Sequence, residues 1–322
     1  MKKSKYKLSQ IFLGAAVASL ALFALARGYF RLTDDFRLTN ITYDMPHHQE
    51  WDIPSLVKEE RGRLESILDQ KFYYIGKGAQ SYAFGSQDGK YVLKFFKFKH
   101  LRPNWFVDLL PRISPFKQYK ETLSIRKQRK LYGVFEGYRL AYEVHKLESG
   151  LVFIHLNKTA KLYPAARLID KIGFERKVYL DQVPFVVQEK AKTTRSLINE
   201  SLKNGDILSA QKRIEQIFDL YLSEYQKGIY DKDHGVMHNT GFVGERPIHL
   251  DVGKLTADNE MKNTENWQQD LERIAWKFAV WTKETYPLHY PVIAKSIEDN
   301  LSHLFGRSFE FSKSTPPPRK KR

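Results

Sequence analysis

Two glycines and a lysine within one short stretch could bind the phosphates of a nucleotide. The stretch runs from Tyr73 to Phe96 and reads YYIGKGAQSYAFGSQDGKYVLKFF, with Gly76, Gly78 and the small Ser81 followed by Lys94. Small residues in a turn let phosphate oxygens approach backbone N–H groups, and a lysine ammonium supplies a compact positive charge. The same residues also fit a plain β-hairpin whose Lys94 points to solvent, because short glycine patterns recur by chance. The choice between the two interpretations depends on the downstream sequence.

This stretch resembles the glycine-rich loop and third-strand lysine of the protein-kinase-like superfamily, G-x-G-x-x-G-x-V followed by V-A-I-K. Gly76 and Gly78 match the first two glycines, whereas Ser81 and Ala83 stand in place of the third glycine and the valine. The resemblance implies that the backbone around Gly76, Gly78 and Ser81 covers the phosphates of ATP. It also implies that Lys94 contacts the same phosphates, and so serves both in nucleotide binding and in catalysis.

The segment GIYDKDHGVMHNTGFVGERPIHLDVGKL, residues 228–255, resembles the catalytic loop and the D-F-G element of the same superfamily. The resemblance implies that Asp233 is the catalytic base, and that Asn239 and Asp251 hold Mg²⁺ against the phosphates. Asp231 replaces the histidine of H-R-D, no lysine lies two positions after Asp233, and the interval from Asp233 to Asn239 is one residue longer than usual. Residues 255–267 are too short for a long activation loop and contain no clear A-P-E element. We therefore expect a compact, divergent kinase of small molecules or lipids at least as much as a protein kinase.

A kinase-like chain also carries a helical glutamate that pairs with the lysine of the third strand, and two glutamates qualify. Residues 126–147, RKQRKLYGVFEGYRLAYEVHKL, predict a helix with one apolar side. Glu136 is preferred as the partner of Lys94 in the nucleotide site, because it lies near the middle of this helix. Glu143 remains the alternative, and either glutamate could instead be a solvated helix residue.

The other elements follow from hydrophobic periodicity. Strands are predicted within 149–156 and 177–191, the second ending in a hinge at 187–191, and helices within 55–70, 207–228, 266–286 and 291–305. The predicted fold class is α+β, a bilobal protein-kinase-like fold at 72–311 behind an N-terminal hydrophobic helix. Its small β-rich N-lobe would occupy about residues 72–190 and its helical C-lobe about 191–311. Residues 32–71 would form a lead-in with a helix, and residues 312–322 a basic, proline-rich tail.

The N-terminus predicts a membrane or export segment at residues 1–31. Four lysines precede an apolar run from Ile11 to Ala26. Sixteen helical residues span about 24 Å against a hydrocarbon core of about 30 Å, so the run crosses a bilayer only if it continues past Arg27. Residues 24–26, Ala-Leu-Ala, also fit a signal-peptidase site. A single-pass N-terminal anchor and export with a cleaved signal peptide therefore both remain open, with a buried soluble helix as a third alternative.

The composition restricts the function classes. Lysine and arginine outnumber aspartate and glutamate by 53 to 37, and the net charge of +16 favours an anionic partner such as a nucleotide, an anionic lipid or a nucleic acid. The absence of cysteine excludes disulfides, cysteine-based zinc sites and a thiol nucleophile. His234 and His238 lie four residues apart but lack the glutamate of H-E-x-x-H, which favours local hydrogen bonding over a zinc site.

Together these patterns predict a membrane-associated phosphotransferase that uses ATP and Mg²⁺. Its acceptor is an alcohol group of unknown origin, on a protein, a lipid or a small molecule. The alternative is a catalytically inactive pseudokinase that serves as a nucleotide- or partner-binding module. A nucleic-acid-binding role is less favoured, because the basic clusters at 94–102, at 126–130 and in the terminal PPPRKKR have no nucleic-acid-binding motif beside them.

Overall fold

The structure is a computed structural model that describes residues 2–101, 107, 109, 111 and 113–315. The predicted α+β class is confirmed, with an N-terminal apolar helix, a β-rich region and a helical region. Contacts divide the chain into two compact units. Unit 1 comprises Met1–His47, Pro54–His100 and Asn157–Phe185, and unit 2 comprises His48–Ile53, Leu101–Leu156 and Val186–Arg322.

The helices are numbered in chain order. They are α1 Lys2–Leu32, α2 Leu38–Ile41, α3 Lys58–Leu68, α4 Phe98–Leu101, α5 Phe116–Val144, α6 Lys146–Ser149, α7 Thr194–Lys203, α8 Ile207–Gln226, α9 Val236–Asn239, α10 Thr264–Thr285 and α11 Tyr290–Phe305. Short 3₁₀ turns lie at Gln49–Trp51, Leu180–Gln182 and Asn259–Lys262.

The strands are numbered in the same way. They are β1 Lys71–Lys77, β2 Ser81–Ser86, β3 Tyr91–Phe96, β4 Leu151–His155, β5 Ala165–Ile169, β6 Glu175–Tyr179, β7 Phe185–Glu189, β8 Lys192–Thr193, β9 Ile229–Asp231, β10 Thr240–Val243, β11 Arg246–His249 and β12 Leu255–Ala257.

Helix α1 continues past the apolar run that the sequence shows. The apolar segment extends from Gln10 to Leu32, has a mean hydropathy of 1.9 and is not buried in the protein. Its 23 residues span about 35 Å, which exceeds a hydrocarbon core of about 30 Å. By length and composition the helix can therefore cross a membrane, and a signal sequence near the N-terminus has the same properties.

In unit 1 the strands lie in the order β3-β2-β1-β5-β6. Strands β1, β2 and β3 form an antiparallel meander, β5 runs parallel to β1, and β6 pairs antiparallel with β5. Strands β2 and β3 are joined by a turn in which the Gly89 N–H donates to the Ser86 carbonyl (3.0 Å) and Gly89 adopts a positive φ of 73°. Alternating residues such as Phe72, Phe84 and Phe95 are buried on one face of this sheet.

Unit 2 is built around a helical core. Helices α8, α10 and α11 bury the apolar stripes that the sequence shows, including Phe218, Tyr221, Phe278 and Ile297. Side chains cap the helix starts: Thr193 accepts from Ser196 N at α7, Asp206 from Ser209 N at α8, and Asn263 from Glu265 N at α10. Each cap stabilises its helix by about 1 kcal/mol.

Two sequence predictions need correction. The strand predicted over 177–191 is two strands, β6 and β7, separated by the 3₁₀ turn Leu180–Gln182. The Asp181 carboxylate fixes this turn by accepting from Thr159 Oγ1 (2.5 Å) and from the N–H of Leu162 (3.1 Å). The helix predicted over 126–147 is α5, which begins ten residues earlier at Phe116. The predicted basic tail beyond residue 315 and Arg102 of the first basic cluster lie outside the described residues.

Candidate active site

The glycine-rich turn joins β1 and β2 in unit 1. The β1–β2 register shifts between Tyr74 and Gly76, and the Gly78 N–H donates to the Ser81 carbonyl (2.9 Å) across the turn. A Cβ added to Gly76 would meet no atom within 4 Å, and one added to Gly78 would meet only Ser81. The turn therefore carries little side-chain bulk, as a loop that covers phosphates requires.

Lys94 lies on β3, opposite Ala83 of β2. Three residues later, the Lys97 ammonium donates to the Gly78 carbonyl and so ties the start of the turn to the end of β3. Burial, and then the nearby cations Lys77 and Lys99, lower the pKa of Lys97 to about 8. Lys97 belongs to the basic cluster at 94–102 in the sequence, and in the structure it is an internal support of the glycine-rich turn.

Residues 33–41, which follow α1, pack directly on this hairpin. Phe36 is buried and makes edge-to-face contacts with Tyr82 and Phe84 of β2, at ring-centroid distances of 5.2 and 4.9 Å. The Asp34 carboxylate pairs with Lys77 in the glycine-rich turn (3.1 Å) and accepts from the Tyr74 hydroxyl (3.1 Å). The end of α1 is thus joined to the turn through a few side chains.

In unit 2, the catalytic-loop segment starts from a short two-stranded sheet. Strand β9 pairs antiparallel with β12, and Asp231 at the end of β9 lies opposite Leu255. Asp233, the predicted base, follows two residues later with a 44% exposed side chain, and its carboxylate lies 4.0 Å from the Lys254 ammonium. An exposed carboxylate at this position is accessible to an acceptor hydroxyl, as a base must be.

Backbone hydrogen bonds join the segments that carry the two predicted metal ligands. Asn239 ends α9, and its carbonyl accepts from the N–H of Leu250 (2.6 Å) and of Asp251 (3.4 Å). Gly235 makes room for Asn239, because a Cβ there would lie 2.5 Å from the Asn239 side-chain nitrogen. A carboxylate and an amide oxygen are hard donors of the kind that Mg²⁺ prefers. The chemistry of this donor set therefore fits Mg²⁺.

Behind the loop lies a buried chain of ionisable side chains that sequence analysis missed. Glu224 of α8 accepts from His145 Nε2 (3.0 Å) and from His249 Nδ1 (2.7 Å), and His249 Nε2 lies 3.5 Å from the Asp231 carboxylate. His145, Glu224 and His249 are fully buried, and Asp231 is 1% exposed. We call His145, Glu224, His249 and Asp231 the buried network.

Charge pairing decides the protonation of the network. Burial alone would lower the pKa of His249, but the carboxylates of Glu224 and Asp231 raise it well above its usual value. Burial alone would raise the pKa of Glu224 and of Asp231, and the neighbouring histidines bring both below their usual values. The two carboxylates therefore favour the protonated, cationic form of His249.

A second set of contacts holds the other side of the loop. His234 has a positive φ of 51°, which is uncommon for a residue with a side chain. The His234 ring is paired with the Asp270 carboxylate of α10 (2.7 Å), which also accepts from the Tyr225 hydroxyl (2.9 Å). The backbone carbonyl of His234 accepts from the Lys277 ammonium. His238 lies against Arg195 (3.1 Å). The side chains of both histidines of HGVMH thus hydrogen-bond to residues 36 and 43 positions away, and not to neighbours within the segment.

Helix α5 carries both candidate partners of Lys94. Arg139 donates to Glu136 (2.9 Å) and to Glu143 (2.8 Å), so the structure links both carboxylates to the same guanidinium. The choice of Glu136 stays a prediction. A Cβ on Gly137 would lie 2.5 Å from the Val252 carbonyl. Glycine at this helix position therefore lets α5 contact the segment after Asp251, a close approach that the sequence did not indicate.

No protein-family model and no curated protein matches the chain. Among solved structures, it is similar to one described as a crystal structure of WbdD, with 13% identity and a TM-score of 0.34 over 70% of this chain and 45% of that chain. It is also similar to one described as the bifunctional kinase-methyltransferase WbdD, with 14% identity and a TM-score of 0.31 over 74% of this chain and 45% of that chain. The chain thus covers less than half the length of each of these two solved structures.

The elements follow one another as the sequence resemblance implies. A three-strand meander with a glycine-rich turn and Lys94 on its third strand is followed by the long helix α5. Strands β4 and β7, helix α8, the segment from Asp231 to Asp251, and helices α10 and α11 complete the order. By this order of elements, the chain is kinase-like in fold.

Proposed function

We propose that the chain is a membrane-associated phosphotransferase that uses ATP and Mg²⁺ and transfers the phosphoryl group to an alcohol. The observation that carries the proposal is the pairing of Asn239 with Asp251 through the backbone, in a loop that also presents Asp233. An asparagine and an aspartate joined through the backbone, downstream of an exposed carboxylate, suit metal binding and acceptor activation.

The residues would share the work as follows. The backbone of the turn at Gly76, Gly78 and Ser81 would cover the phosphates, and Lys94 would add a positive charge to them. Asn239 and Asp251 would hold the metal ion. When bound, Mg-ATP supplies the phosphoryl group and the cation that neutralises its oxygens. Asp233 would orient the acceptor hydroxyl and accept its proton.

The segment between Asp251 and α10 bears on the class of acceptor. Twelve residues separate Asp251 from the start of α10 at Thr264, and they include a strand, β12, and a 3₁₀ turn, Asn259–Lys262. So short a segment supports a small-molecule or lipid acceptor as much as a protein. The apolar helix from Gln10 to Leu32 would hold the enzyme at a membrane as a single-pass anchor.

A thermal-shift titration with ATP and Mg²⁺ tests the nucleotide site. At 100 times Kd a ligand stabilises the folded state by about 2.7 kcal/mol, which raises the Tm of a domain of this size by roughly 5 to 10 °C. We expect this shift for the wild-type chain and its loss in Asp251→Ala. Equal melting temperatures with and without Mg-ATP in the wild-type chain would contradict the proposal.

A second candidate function is a pseudokinase that binds nucleotide without transfer. Asp231 in place of the H-R-D histidine and the extra residue between Asp233 and Asn239 favour it. Binding of Mg-ATP without hydrolysis or labelling of any acceptor, unchanged in Asp233→Asn, would support this candidate against the enzyme.

A further inference from the structure

Asp231, which stands where the superfamily pattern has a histidine, binds the backbone of the catalytic-loop segment with both carboxylate oxygens. Its Oδ1 accepts from the backbone N–H of Asp233 (2.8 Å), and its Oδ2 accepts from the N–H of His234 (3.0 Å). The two oxygens therefore fix two consecutive peptide groups on either side of the Asp233 Cα. The side chain of Asp233 itself is 44% exposed and faces Lys254 only at 4.0 Å. The backbone contacts, and not its own side-chain contacts, set where the Asp233 carboxylate lies.

The Asp231 carboxylate is in turn held from behind. A buried carboxylate is costly unless it is paired, and His249 lies 3.5 Å from Asp231 Oδ2. His249 is itself fixed by Glu224 at 2.7 Å, and Glu224 by His145 at 3.0 Å. His249 ends β11, Glu224 belongs to α8, and His145 directly follows α5. The position of Asp231 is therefore determined by three separate elements of unit 2.

The loop is also fixed at its next residue. His234 keeps a left-handed backbone conformation (φ 51°) and is held by Asp270 and Lys277 of α10. An uncommon conformation persists where the surroundings determine it, and such residues cluster at functional sites. Asp233 thus lies between two anchored neighbours, Asp231 and His234.

We propose that Asp231 is the positioning residue of the catalytic loop, that His249 and Glu224 hold its carboxylate, and that it acts on phosphoryl transfer only through Asp233. The proposal rests on the proposed function and deepens it. Asp231, at the position where the superfamily pattern has a histidine, then supports the loop by accepting two backbone hydrogen bonds, and the departure is compatible with an active enzyme.

The kinetic test uses the full chain in detergent, with Mg-ATP as substrate and water as acceptor. Asp231→Asn keeps one oxygen acceptor but presents an amide NH₂ group to the second N–H donor. We expect kcat to fall by about 10- to 100-fold, since a displacement of about 1 Å can cost a hundredfold in rate. The Kd for Mg-ATP should stay within about twofold, because the change alters the position of Asp233 and no nucleotide ligand.

A double variant separates positioning from general damage. If Asp231 acts through Asp233, then Asp231→Asn combined with Asp233→Asn is no slower than Asp233→Asn alone. The matched control is Asp258→Asn, because Asp258 also accepts a backbone N–H two residues ahead, from Glu260 (3.2 Å), at a turn outside the loop. We expect kcat of the control to equal that of the wild-type chain.

Amide hydrogen exchange gives a readout that needs neither activity nor a folded variant. In the wild-type chain the amides of Asp233 and His234 should be protected, because Asp231 accepts from both. Exchange of both at unprotected rates would overturn the proposal.

The kinetic outcomes distinguish failure of the positioning role of Asp231 from failure of the proposed function. If the wild-type chain turns over ATP and Asp231→Asn is as fast as Asp258→Asn, positioning by Asp231 is wrong and the proposed function stands. If the double variant is slower than Asp233→Asn by the full effect of Asp231→Asn, Asp231 does not act through Asp233. If the wild-type chain binds no Mg-ATP and shows no turnover, the proposed function fails and the positioning role fails with it.

Discussion

Glu224→Gln should destabilise the protein strongly although it keeps the shape of the side chain. Glutamine can still accept hydrogen bonds from His145 and His249, so the substitution removes charge and little else. Two charges 2.7 Å apart attract by about 6 kcal/mol at an effective dielectric constant of about 20. The desolvation of the buried carboxylate offsets part of this attraction, and removing one partner of a buried ion pair typically costs about 3 to 5 kcal/mol. We expect about 3 kcal/mol, because the hydrogen bonds remain.

Thermal and urea unfolding of the full chain measure this cost. A loss of about 3 kcal/mol lowers Tm by roughly 6 to 12 °C in a unit of this size. The control is Glu215→Gln on the same helix α8, since Glu215 lies outside the buried network, and it should change stability by less than about 0.5 kcal/mol. If Glu224→Gln is as stable as Glu215→Gln, the network does not stabilise the folded state and the reasoning fails.

The difference in stability between the wild-type chain and Glu224→Gln should depend on pH, because the pKa values of the buried network are shifted. Glu224 and Asp231 have lowered pKa values, so their stabilisation is present above the usual values of 4.5 and 3.8 and is lost as the pH falls through the lowered ones. His249 has a raised pKa, so its stabilisation is complete below 6.5 and is lost as the pH rises through the raised value. The wild-type chain should therefore exceed Glu224→Gln in stability most clearly between about pH 4.5 and 6.5.

Three further predictions concern the other unit and the apolar helix. Lys94→Ala should weaken Mg-ATP binding in a titration of the folded variant, because the ammonium would contact the phosphates, and unchanged affinity would exclude that role. An NMR titration should show the Lys97 side chain losing its proton near pH 8, and this signal should be absent in Lys97→Arg. A Lys97 pKa near 10.5 would show that the turn does not bury the ammonium. The chain should stay in the membrane fraction after high-salt and alkaline washing, because apolar burial resists both, whereas release of a chain starting at Arg27 would identify a cleaved signal.

Elements with a strong local pattern could be predicted from the sequence. The apolar stripes of α8 and α10 predicted helices whose buried residues include Phe218 and Phe278. Residues 73–96 also fit a β-hairpin from their sequence, and β2 pairs antiparallel with β3 in the structure. In each case, residues close in the sequence carry the whole signal.

Contacts between distant residues could not be predicted in this way. His145 and Glu224 are 79 positions apart, and no local pattern relates a histidine after one helix to a glutamate in another. The packing of Phe36 on Tyr82 also left no periodic signal, because a single aromatic residue in an irregular segment forms it. The sequence did not indicate why glycine stands at position 137, whereas the structure shows that the close approach of the Val252 carbonyl requires it. The buried network, the support of the glycine-rich turn and the approach of α5 all needed the folded chain.

The most direct test of the proposed phosphotransferase follows the γ-phosphoryl group of labelled ATP with the full-length chain, Mg²⁺ and a set of protein, lipid and sugar alcohols. The account predicts transfer by the wild-type chain, loss of Mg²⁺-dependent nucleotide binding in Asp251→Ala, and intact binding with transfer slowed by roughly a hundredfold or more in Asp233→Asn. Equal binding and equal label transfer in all three proteins, or no binding of Mg-ATP by the wild-type chain, would contradict it.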